Sequence, residues 1–129
     1  MWIHDLITAN GGHVDAIQLV GGREGNTEIA YCRLEGPFRG QTSAIIIKAD
    51  LGNIDGVNVH DNYLSGGSYT VYAFSTATWV TKNVRIDRNV FIRGSSLYGT
   101  LLTSPAPSPA AQIISKSGNT WDDGSLIWG

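Results

Sequence analysis

Two interleaved series of short segments return along this chain with almost the same period, and that constrains its fold more than any other feature of the sequence. The first series turns at an asparagine followed by an apolar residue. It reads Val57-Asn58-Val59-His60-Asp61-Asn62-Tyr63-Leu64-Ser65-Gly66, then Val84-Arg85-Ile86-Asp87-Arg88-Asn89-Val90-Phe91, then Ile114 to Asn119-Thr120-Trp121, with an earlier copy, Ile29 to Gly36, in which Cys32 replaces the asparagine. Positions 32, 62, 89 and 119 are separated by 30, 27 and 30 residues. The second series begins at Ala16, Ala44, Val71 and Tyr98, spaced by 28, 27 and 27 residues. A fixed period of this length marks a solenoid, in which each repeat buries its apolar face only by stacking on its neighbours.

The residues within each period favour strands. Val, Ile, Thr and Tyr alternate with polar residues between Gly-rich turns, and no stretch carries clean helical periodicity. The competing template is the leucine-rich repeat, whose pattern Ile54, Val57, Val59, Asn62 and Leu64 also match. That fold needs one strand and a helical or extended return, whereas the return segments here carry their own strand signature. The chain therefore reads as an all-β, right-handed parallel β-helix of three to four coils forming one domain over residues 1–129.

Stacking explains the recurring asparagine. With coils about 4.8 Å apart, an inward Asn at a corner bonds the turn backbone and the amides above and below it. Asn62, Asn89 and Asn119 are expected to form such a ladder. Apolar columns are expected from Ile17, Ile45 and Tyr72 and from Leu19, Ile47, Phe74 and Leu101, with Ala16, Ala44, Ile46, Val71 and Ala73 facing out. Gly36, Gly66, Gly94 and Gly124 are expected at positive φ. Trp2 to Leu6, within residues 1–10, reads as the closing strand of a preceding coil, so the chain is expected to be a fragment of a longer helix or to dock that end on another subunit. Residues 103–110 read as a Pro-rich loop, and 125–129 as a cap over the last coil.

Charge and composition narrow the partners. With nine Lys and Arg against eleven Asp and Glu, the formal charge is −2 and no basic stripe interleaves with aromatics, which argues against nucleic acid. No apolar run approaches the roughly 20 residues of a membrane span. The single cysteine, Cys32, excludes an internal disulfide and reads as a small buried hydrophobe; no zinc-type cluster of Cys and His appears.

Several polar groups are candidates for chemistry. His13 and Asp15, with Gln18 beyond them, pair an imidazole with a carboxylate that could do acid/base work, although turn-capping accounts for them better. Lys48 and Asp50, one coil on, are expected to join Gln18 and Ser75 as a polar strip suited to glycan hydroxyls. Outward alternation puts Asn58, Arg85 and Ser115 in one column and His60, Asp87 and Ser117 in the next. Trp79 and Tyr98 are the exposed aromatic candidates for stacking on sugar rings.

The segments Gly12 to Gln18, Ile47 to Asp50, Gly66 to Tyr72 and Asn119 to Asp123 resemble the pectin-lyase-like β-helix proteins of actinobacteria and of the minor tail or spike proteins of their phages. The resemblance covers the chain from about residue 2 onward and its motifs are architectural. It implies a trimeric, non-catalytic module of a virion tail or an extracellular protein that binds cell-surface polysaccharide. Lyase and hydrolase relatives leave a catalytic alternative open, with His13, Asp15, Arg85 and Asp87 as its residues; in the lyase form Arg85 would be the base beside a calcium ion held by Asp61 and Asp87. No other cofactor is implied, and a purely structural spacer is the third reading.

Overall fold

The computed structural model describes residues 1–7 and 12–128, and among these all side chains but those of Arg23 and Glu24. The chain is a parallel β-solenoid of about four turns with three sheets. One sheet, A, stacks β1 (Trp2–Ile3), β4 (Arg33–Glu35), β7 (Tyr63–Ser65), β10 (Val90–Phe91) and β13 (Thr120–Trp121) in that order. Sheet B stacks β2 (Asp15–Leu19), β5 (Ser43–Lys48), β8 (Tyr69–Phe74) and β11 (Gly99–Leu102). Sheet C stacks β3 (Arg23–Ala30), β6 (Ile54–His60), β9 (Thr81–Asp87) and β12 (Ile113–Ser115). No helix occurs among the described residues, so the return is a strand and the leucine-rich alternative is excluded.

The asparagine ladder forms at the corner between sheets C and A. Asn89 Oδ1 accepts from the Asn62 backbone N–H at 3.1 Å and from Asn62 Nδ2 at 3.0 Å, and Asn119 Oδ1 accepts the equivalent pair from Asn89 at 3.0 and 3.1 Å. Asn62 Oδ1 accepts the Cys32 N–H at 3.0 Å, which places Cys32 at the first rung; its side chain is half-buried and donates to the Ala30 carbonyl. The residue before each rung turns the corner in the left-handed region, with φ of 55° at Tyr31, 54° at Asp61, 52° at Arg88 and 71° at Gly118. Non-glycine residues resist that conformation by roughly 1–2 kcal/mol. The buried amides of Asn62 and Asn89, which follow Asp61 and Arg88, supply compensating hydrogen bonds.

The core confirms the columns in part and corrects their register. Strand pairing aligns Ile17, Ile45, Val71 and Leu101, and beside them Leu19, Ile47 and Ala73. Ile45, Ile47, Val71 and Ala73 are fully buried. Tyr72 and Phe74, expected inside, sit on the opposite face of β8, and Val71 and Ala73, expected outside, fill the core. A one-residue slip exchanges the faces of a whole strand. The physical reason is volume: Val71 and Ala73 fit the space left by the isoleucines of β5, whereas Tyr72 packs edge-on against Tyr69 and Phe74 outside it, at ring separations of 5.6 and 6.4 Å. Of the remaining expected outward residues, Ile46 alternates outward as expected, while Ala44 is fully buried.

Both ends and the Pro-rich segment pack against the stacked coils. β1 pairs in parallel with β4, taking the place of a closing strand, while residues 8–10 of that segment lie outside the described residues. The Pro-rich segment 103–110 folds back on sheet B, where Ala110 bridges Phe74 and the Pro109 carbonyl accepts the Ser75 N–H at 2.9 Å. Residues 125–128 cover the last coil: Ile127 is buried and its N–H donates to Asn119 O at 2.9 Å, and the Trp128 ring meets Phe91 at 5.9 Å; Gly129 lies outside the described residues. Gly66, Gly94 and Gly124 have positive φ, but Gly36 does not. Gly36 is instead required by space, since a Cβ there would lie 2.6 Å from the Ser43 carbonyl.

Candidate functional site

The outer face of sheet C is bent, and the bend creates the site. Ile54–Asp55 and Val57–His60 are the two paired halves of β6, and between them Gly56 adopts φ 86° opposite Asn83 at φ 55°. On the preceding coil the two residues Gly25 and Asn26 bulge out against Gly56, where a Cβ would lie 2.4 Å from Asn26 Oδ1. A left-handed kink repeated on neighbouring strands folds the sheet face inward. The groove so formed has a volume of about 560 Å³.

Its two walls differ in how their charges are engaged. On one side Asn83 Nδ2 donates to Asp55 Oδ1 at 2.6 Å, and Lys82 Nζ lies 3.7 Å from Asp55 Oδ2. On the other side the outward column runs Glu28, Asn58, Arg85 and Ser115, which extends by Glu28 the column of Asn58, Arg85 and Ser115 expected from alternation. Glu28 Oε1 faces His60 Nε2 at 2.5 Å. Arg33, Arg88 and Arg93 each meet a carboxylate at 3.1 to 3.2 Å, whereas Arg85 makes no hydrogen bond or ion pair among the described residues. Next to it in the column, Asn58 Oδ1 is buried without a hydrogen-bond partner. A buried polar atom left in this state costs about 1–3 kcal/mol.

A network of charged side chains borders this groove. His60 is buried, with Nδ1 2.7 Å from Asp61 Oδ2 and Nε2 on Glu28. The bonds to Asp61 and then to Glu28 raise its pKa above the ordinary imidazole value, against the opposing effect of burial. Asp61 is lowered by His60 first and by Arg88 second, whose guanidinium bonds it at 3.1 and 3.2 Å. Asp87, in register with His60, is buried and accepts from Ser115 Oγ at 2.6 Å and the Ser117 N–H at 2.8 Å.

The other candidates lie elsewhere. At the entry to sheet B, His13 Nδ1 is 2.9 Å from Thr42 Oγ1, and Ser43 Oγ donates to Asp15 Oδ1. Burial raises the Asp15 pKa, with Ser43 and then His13 opposing it. His13 and Asp15 thus sit on a different sheet from Arg85 and Asp87, and the four are not brought into one constellation. The expected strip of Gln18, Lys48 and Ser75 is also not continuous: Gln18 is in register with Ile46 and Ile46 with Tyr72, while Lys48 faces Phe74. Lys48 bonds Asp50 at 3.0 Å and lies over the Phe74 ring at 5.7 Å. Tyr98 is exposed beside Tyr69, and Trp79 closes a turn with Thr76.

Two features escaped the sequence reading. One is the Gly56–Asn83 bend, whose signal was a Gly and an Asn 27 residues apart within the strand series. The other is an outer stack on sheet A in which the Arg33 guanidinium lies 5.6 Å from the Trp2 ring and 5.3 Å from the Tyr63 ring, with Glu35 holding Trp2 Nε1 at 2.9 Å and Arg33 at 3.2 Å. Residues 2, 33 and 63 carry the coil period, which would have revealed it.

Among the described residues no three His, Cys, Asp or Glu side chains gather as a metal-ligand set, and one oxygen of each carboxylate, Asp61 Oδ2 and Asp87 Oδ1, is engaged by protein donors. Compared with protein-family models, curated proteins and solved structures, the chain matches none of them. The class it defines is that of a parallel β-helix with a polar groove bent into one outer face.

Proposed function

We propose that the protein is a non-catalytic β-helix module that binds glycan chains in the groove of sheet C and is displayed, as a trimer, on a virion tail or another extracellular surface. The observation that carries the reading is the open Arg85 guanidinium beside the partnerless Asn58 carbonyl oxygen. A planar guanidinium and side-chain amides are the groups that sort sugar hydroxyls and carboxylates by hydrogen bonding. The carboxylates around them, Glu28, Asp55, Asp61 and Asp87, all have protein partners, which favours binding over acid/base turnover. Trimer formation is supported by the outward row of Ile46, Tyr72 and Leu102 on sheet B.

Titration calorimetry against neutral and acidic oligosaccharides tests the reading. Saturable binding is expected, weakened tenfold or more by Arg85→Ala, about 1.4 kcal/mol. Absence of binding across a broad panel would leave only the spacer role. Release of unsaturated or reducing ends, with or without calcium, would move the site to the lyase or hydrolase class.

A further inference from the structure

His60 is the only described side chain whose two ring nitrogens each face a carboxylate, Asp61 Oδ2 on Nδ1 and Glu28 Oε1 on Nε2. Carboxylates accept and cannot donate, so both contacts are hydrogen bonds only when both nitrogens carry protons. A neutral imidazole has one N–H, and its other nitrogen then turns a lone pair toward an anion. One contact must open. We propose that His60 is a proton-operated staple: as an imidazolium it ties Glu28 of the first coil to the second and keeps it from Arg85, and as a neutral ring it releases Glu28 into the groove.

Exposure and partners decide which carboxylate leaves. The Asp61 side chain is 31% exposed and also accepts from Arg88, so it stays with the remaining N–H. The Glu28 side chain is 66% exposed and bonds only His60, so water takes its place at little cost. Glu28 stands in the outward column with Asn58 between it and Arg85. That separation is two strand spacings, about 9.6 Å, which the two long side chains span together. Every charged group around the ring bears on the balance: Glu28 from β3, Asp61 on its own corner, Asp87 in register on β9, and Arg88 reaching Asp61 from the next corner; the Tyr31 ring packs edge-on at 5.5 Å. Asp87 is held by Ser115 and Ser117 and does not compete for the ring. The consequence for ligand binding rests on the groove reading above; the staple itself does not.

The sign is fixed by the raised folded-state pKa. Its contribution to stability is complete below the unfolded value of about 6.5 and is lost as pH rises through the folded one. The test is a titration of the unliganded protein by NMR with urea denaturation alongside. In the wild type the His60 ring carbons should titrate above the free-imidazole value, and the urea midpoint should fall on going from neutral to alkaline pH. In Glu28→Gln the His60 titration should move down, though Asp61 still holds it up, and part of the alkaline loss should vanish; Glu28 is exposed enough that this variant folds even if His60→Gln does not. The Arg85 Nε–Hε resonance should follow the His60 titration in the wild type and not in Glu28→Gln. A His60 that titrates at or below its free value overturns the staple, and an Arg85 signal indifferent to that titration overturns the release into the groove. Neither readout involves a sugar, so failure here is distinct from failure of the groove to bind one.

Discussion

At the scale of single residues, the fold is held at one corner by amides that have no substitute. Asn89 receives two hydrogen bonds from Asn62 and donates one to the Val59 carbonyl at 2.9 Å, all without access to water. Replacing it with alanine leaves two donors and one acceptor unpaired in the interior, at about 1–3 kcal/mol for each group that water cannot reach. Thermal or urea denaturation of Asn89→Ala should therefore show a loss of about 3 kcal/mol or more, and a loss under 1 kcal/mol would mean that the ladder is ornamental. Asn119→Ala, which strands the two Asn89 donors and the Ile86 carbonyl in the same way, should cost a comparable amount. The ladder was legible in the sequence because asparagines recurring at one coil period stack directly on one another, and an amide is both donor and acceptor for its own kind. The open state of Arg85 was not legible, since an arginine on an outward column looks the same whether or not a carboxylate sits beside it.

At the scale of the strand and turn, two glycines with similar dihedral angles separate two causes. Gly66 has φ 87°, and a Cβ there would lie 2.3 Å from the Gly36 carbonyl oxygen of the coil beside it. Gly94 has φ 76° and nothing within 4 Å. The conformational penalty of about 1–2 kcal/mol applies to both, but only Gly66→Ala must also push two coils apart. Gly94→Ala is expected to lower stability by that conformational amount, and Gly66→Ala by clearly more, read as urea midpoints at constant slope. Equal losses would locate the whole effect in the dihedral angle. The strands themselves were visible from alternation, and the existence of β8 was never in question. Its phase was, because Val71-Tyr72-Ala73-Phe74 is apolar at every position and alternation is silent in such a run. Pairing of Ile45 with Val71 settled it, through the volume available between stacked coils.

At the scale of the whole molecule, the proposed trimer rests on the outer surface of sheet B. Phe74 is covered by the returning segment at Ala110, whereas Ile46, Tyr72 and Leu102 form the row proposed to pack between subunits. Sedimentation equilibrium should give a trimer mass, and the double change Ile46→Glu with Leu102→Glu should give a monomer with the same circular dichroism; a wild-type monomer at all concentrations would remove the trimer from the proposal. The period of the sequence determined that this chain stacks into a β-solenoid, which residues mark its corner and that its turns need glycine, because each of these follows from like residues meeting one coil apart. Only the tertiary structure decided which face of β8 is inside, that sheet C bends at Gly56 and Asn83, and that His60 faces two carboxylates while Arg85 faces none. Those are distances between residues that the period brings near one another, and a period specifies neighbours without specifying which of their atoms meet.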